Sequence, residues 1–160
     1  MTSIGAALSK ASEFVSKLTA AVCVMIIYLM LGLLSAQVFL RYFFGSPPSW
    51  TEEVAIILFA WLVLLYATVG VRERFHVAVD MMIVETTWLR VLLDKIVALA
   101  ILGFGVVLFW AGLSYVERTA GQKSAALQIP IEVLHGAAPV CGALLAFHAM
   151  AILLSAEKAH

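Results

Sequence analysis

Two adjacent carboxylates, Glu52 and Glu53, stand in the stretch SWTEEVAIILFAW at the edge of a long apolar run. A carboxylate pair can share acid–base work or hold a cation, provided both groups converge on one atom. Neighbours on a helix point about 100° apart, so Glu52 and Glu53 do not converge, and a catalytic pair is excluded. Histidines are the next candidates. His76 and His148 fall at similar depth on separate apolar segments, an arrangement that can ligate a haem b in a membrane anchor subunit. Against this, His76 lies past the hydrocarbon edge, and His135 shares one segment with His148. A hydrogen-bonded packing role is the simpler reading for each. Cys23 and Cys141 sit inside apolar runs without CxxC or His-rich spacing, which reads as buried, reduced and structural.

The elements that position these groups follow from composition. Of 160 residues, 64% are hydrophobic and 12% charged, and mean hydropathy is +1.05, far from the balance of a soluble domain. Lys+Arg and Asp+Glu are equal at 10 each, so net charge points to neither nucleic acid nor a strongly anionic surface. The chain reads as a single all-α integral membrane domain over 1–160, with four transmembrane helices at 18–40, 54–71, 96–116 and 131–154. The apolar residues run continuously and do not alternate, which excludes a β-barrel.

Two amphipathic interfacial helices accompany the spans. In residues 1–17, Ile4, Leu8, Ala11 and Val15, continued by Leu18, form an apolar face opposite Ser9, Lys10, Ser12, Glu13, Ser16 and Lys17. Between the second and third spans, Val79, Met82, Ile83, Thr86, Leu89 and Leu93 trace another such face. Basic residues gather at the amino terminus, the second loop and the carboxyl terminus, which predicts both termini cytoplasmic.

Local signals set the boundaries. Ser49 and Glu52 make an S-x-x-E capping box after Pro47-Pro48, and both acids fall in the first turn, where the helix dipole favours them. Pro139 should free the carbonyl of His135 and kink the fourth span. Small residues predict packing faces at Gly32 and Ala36 and at Ala138, Gly142 and Ala146. Trp50, Trp61, Trp88 and Trp110 read as interfacial anchors or large packing residues, with Trp61 the least interfacial.

The middle of every span lacks Asp, Glu, Lys and Arg. A self-contained small exchanger, the third reading, or a proton relay needs such a group, which weighs against both, and no enzymatic chemistry or cofactor is expected. The second span is more specific. Trp50-Thr51-Glu52-Glu53, Leu58-Phe59-Ala60-Trp61, Arg72 and His76-Val77-Ala78-Val79-Asp80 together resemble the small membrane subunit of tripartite ATP-independent periplasmic (TRAP) transporters. The resemblance covers nearly the whole chain. It implies a non-catalytic scaffold in a bacterial inner membrane, in stable complex with a large membrane subunit. That subunit would use a sodium gradient to take up an organic acid delivered by a periplasmic binding protein. Arg41, Trp50, Glu52, Glu53, Trp61, Arg72, His76 and Asp80 are then the expected partner-interface or structural residues. The alternative is a haem- or quinone-associated anchor of a redox enzyme. Ile56 stands where relatives often place an arginine, so Glu53 has no partner within its helix, and Arg41 or a cation of the large subunit is its expected partner.

Overall fold

The computed structural model describes residues 3–45, 48–73 and 87–156. Among them, helices account for nearly all residues: α1 (Ser3–Phe44), α2 (Trp50–Arg72), α3 (Thr87–Thr119), the single-turn α4 (Glu132–His135) and α5 (Ala137–Ala156). Four stretches are long and apolar enough to cross a membrane, the last formed by α4 and α5 together. The interfacial segment between the second and third spans, with His76 and Asp80, lies outside the described residues.

The amino-terminal segment differs from its sequence reading. It continues without a break into the first span, giving a helix of 42 residues, about 63 Å long. Its small polar residues face inward, while Lys10, Glu13 and Lys17 stay exposed. Ser12, Ser16, Thr19, Cys23 and Ile26 are buried at alternating steps of four and three, and Gln37 continues the series, while Phe14 and Leu18 are exposed. Ser12 and Ser16, read as part of the solvated face, are thus turned inward, whereas Leu8 and Val15 are only half-buried. Where the surroundings are acyl chains, apolar side chains cost nothing outside, and small polar ones find hydrogen bonds and close packing inside. The seam packs Cys23 and Ile26 against Leu65 of α2, with Trp61, Leu62 and Leu144 around them.

Helix α5 is the hub, packing against α1, α2 and α3. Its contact with α3 is made backbone to backbone. A Cβ at Gly105 would lie 2.8 Å from the Ala146 nitrogen, one at Gly142 2.4 Å from the Phe109 nitrogen, and one at Gly112 2.7 Å from Pro139. Ala138, Gly142 and Ala146 therefore face α3. Gly32 and Ala36 are exposed, with nothing within 4 Å of a Cβ at Gly32, so this pair is not a packing face among the described residues.

Helix α5 begins one residue after α4 ends, because Pro139 has no N–H for the His135 carbonyl. The chain between α3 and α4 closes as a tight hairpin. Lys123 and Pro130 form an antiparallel bridge, Ser124 N donates to Ile129 O at 2.9 Å, and Gln128 takes φ 56°.

Candidate partner-presenting site

The start of α2 is built from the chain upward. Ser49 has helical dihedrals (φ −64°, ψ −24°) and makes no side-chain cap, so the expected capping box is absent. The first turn already winds from Pro48, whose carbonyl accepts the Thr51 hydroxyl at 2.7 Å and the Thr51 N–H at 3.3 Å. With Ser49 itself helical, its hydroxyl cannot turn back to the N3 amide.

From this turn the two acids diverge. Glu52 looks toward α1, where Gln37 Nε2 approaches its Oε1 at 3.5 Å. Glu53 looks the other way and receives the tip of the hairpin. The Ala126 N–H donates to Oε1 at 2.7 Å and the Leu127 N–H to Oε2 at 3.0 Å. An ionised carboxylate with a backbone donor on each oxygen is a strong, charge-assisted arrangement. It replaces the expected pairing with Arg41. That residue lies one helical turn beyond Gln37 on α1, exposed and on the side of Glu52. The only ion pair among the described residues joins Lys17 to Glu13 at 2.8 Å.

Two turns along the same face, Trp61 Nε1 donates to the Val133 carbonyl of α4 at 2.8 Å. Glu53 and Trp61 thus hold one segment at two points, hairpin tip and α4. Glu132 and His135 hold its flanks: the Gly121 N–H donates to Glu132 Oε1 at 2.8 Å, and Thr119 Oγ1 lies 2.8 Å from His135 Nδ1, with Tyr115 against the imidazole. Between α2 and the hairpin lies a mostly apolar cavity of about 290 Å3, lined by Glu53, Ile56, Ile57, Ile129, Leu134 and His135 among others.

At the other end, Ser12 Oγ and His148 Nδ1 are 2.7 Å apart and both residues are fully buried. The direction of this hydrogen bond follows the imidazole tautomer, and the other ring nitrogen, Nε2, is buried without a partner among the described residues. Arg72 is half-buried at the end of α2. Cys141 Sγ donates to the Leu64 carbonyl at 3.2 Å, and Cys23 and Cys141 are buried free thiols. Trp50 is exposed at the α2 start. Sequence reasoning missed Glu132, the Thr119–His135 and Ser12–His148 contacts, and Gly105 and Gly112. Only the glycines carried a usable signal, seven residues apart on one helix face.

Four apolar stretches long enough to cross a membrane, with Glu53 and Trp61 holding the segment that leads into the last of them, define a helical multi-span membrane protein in class. The sequence model of the DctQ component of tripartite ATP-independent periplasmic transporters matches residues 30–158, and the chain belongs to that family. It is 33% identical over 81 residues to the C4-dicarboxylate TRAP transporter small permease protein DctQ of Vibrio cholerae, covering 50% of this chain and 35% of that one. A putative TRAP transporter small permease protein of Haemophilus influenzae is 38% identical over 72 residues, 45% of each chain. The sialic acid TRAP transporter permease protein SiaT of Haemophilus influenzae is 43% identical over 49 residues, 31% of this chain and only 8% of that much longer one. The matched stretches therefore span less than half the length of each of these relatives.

Proposed function

We propose that this chain is the non-catalytic small permease subunit that scaffolds a larger membrane subunit, the two working with a periplasmic binding protein in sodium-coupled uptake of an organic acid. The observation that carries the reading is the fate of Glu53. It is the acid best placed to meet a cation at the mouth of the spans, and both its oxygens are occupied by backbone N–H groups. With no Asp, Glu, Lys or Arg in the middle of any span, ion coupling belongs to the partner. The relative with the small-subunit-like segment inside a far longer permease chain supports a working partnership between the two parts. Relatives named for C4-dicarboxylate and sialic acid favour a carboxylate substrate.

Both termini are cytoplasmic in this reading, so the Glu53 end and the hairpin face the periplasm. Reconstitution tests the assignment. Proteoliposomes holding this chain alone should show no sodium-dependent uptake of a C4-dicarboxylate or sialic acid. Uptake should require the larger subunit and the binding protein together. Sodium-driven uptake by the isolated chain would overturn the proposal.

A further inference from the structure

Depth within the bilayer singles out Trp110. The Gly112–Pro139 and Phe109–Gly142 contacts put it level with Cys141, and the Cys141 thiol donates to the Leu64 carbonyl. Leu64 is eleven residues from Glu53 and eight from Arg72, about 16 Å and 12 Å along α2. Trp110 therefore lies near the middle of a hydrocarbon layer about 30 Å thick. It points away from α5, is 74% exposed, and its indole N–H has no acceptor among the described residues. Tryptophan prefers the membrane–water interface, and a polar N–H facing acyl chains at mid-depth is left unsatisfied.

The surroundings of Trp110 form a regular surface. Leu99, Gly103, Val106, Trp110 and Leu113 recur at steps of four and three along the exposed side of α3, and a Cβ at Gly103 would meet nothing within 4 Å. The exposed stripe from Leu92 to Leu113 is about 32 Å long, enough to match a transmembrane helix across the hydrocarbon layer.

We propose that this face of α3 receives a transmembrane helix of the larger subunit, with a hydrogen-bond acceptor at mid-depth for the Trp110 N–H and close approach at Gly103. The inference rests on the scaffold reading above and locates its interface. A second copy of this chain does not meet the requirement. A symmetric side-by-side pair on this face brings Trp110 against Trp110, two donors with no acceptor. Acyl chains offer no acceptor either.

The test uses the full chain co-expressed with its larger subunit. A benzophenone amino acid at Val106 or Leu113 should give photo-adducts with the larger subunit, and one at Phe59, on the exposed face of α2, should not. Adducts only to lipid, or only to a second copy of this chain, would overturn the inference. Trp110→Phe keeps the ring and removes the N–H, and should weaken the complex about three- to tenfold. Trp110→Ala should weaken it further, with no change in thermal stability of the isolated chain. Unaltered association of Trp110→Phe would also count against the inference. An intact complex without adducts at Val106 and Leu113 refutes this interface alone, whereas absence of any complex in the unmodified pair refutes the scaffold reading beneath it.

Discussion

Gly142→Ala is the most demanding single-methyl test of the fold. The added carbon would stand 2.4 Å from the Phe109 nitrogen, 2.7 Å from the Gly105 oxygen and 2.8 Å from the Phe109 Cα. Ordinary contact begins at 3.4 Å, so the shortfall reaches about 1 Å, and every obstructing atom is backbone. No rotamer change relieves it, and α3 and α5 must part. A gap of 0.5–1 Å forfeits roughly a quarter to a half of the dispersion energy of each separated contact. Overpacking of this kind costs about 1–3 kcal/mol, and the better helix propensity of alanine offsets at most about 1 kcal/mol. Gly32→Ala and Gly103→Ala add the same methyl where nothing lies within 4 Å, and should be neutral or slightly stabilising. Thermal unfolding of the purified full chain in one detergent, followed by retention of the monodisperse species, compares the three. A Gly142→Ala chain as stable as Gly32→Ala would refute backbone contact between α3 and α5.

Three further outcomes follow from the hydrogen bonds. Trp61→Phe retains the ring and loses the 2.8 Å bond to Val133, and should cost about 1 kcal/mol of stability in the same assay. Glu53→Gln replaces one acceptor with a donor facing a backbone N–H, and should speed amide hydrogen exchange at Ala126 and Leu127, while Arg41→Gln leaves that exchange unchanged. Ser12→Ala strands the buried His148 Nδ1 and should cost about 1–3 kcal/mol, and Ser9→Ala, three residues away on the same helix, should cost less than about 0.5 kcal/mol.

The four spans were legible because continuous apolar runs of span length leave little choice of structure. Ala138, Gly142 and Ala146 were readable as a contact face because their spacing needs no knowledge of the partner helix. For α1 the period was legible, but not which of its polar residues turn inward. Ser12 and Ser16 read as a solvated face only on the assumption that the helix meets water. The contacts of Glu53 within the chain were illegible for another reason. Its partners are the amides of Ala126 and Leu127, and every residue except proline carries an amide, so no sequence pattern marks them. Nearness in sequence favoured Arg41, but the turn of about 100° between Glu52 and Glu53 decides which acid can look toward α1. The His135 interruption was legible because proline removes a donor wherever it stands.

The packing of α3 on α5 and α4, with no comparable contact to α1 or α2, bears on how the chain is made. During synthesis α1 and α2 can pair as a hairpin as soon as both have entered the bilayer. Helix α3 then waits without a neighbour until the last span arrives, because the surfaces of Gly105 and Gly112 match only α5. A nascent chain halted before residue 137 therefore presents an orphan helix on both faces, one meant for α5 and one carrying Trp110. Completion of the final span covers the first of these faces and leaves the second open.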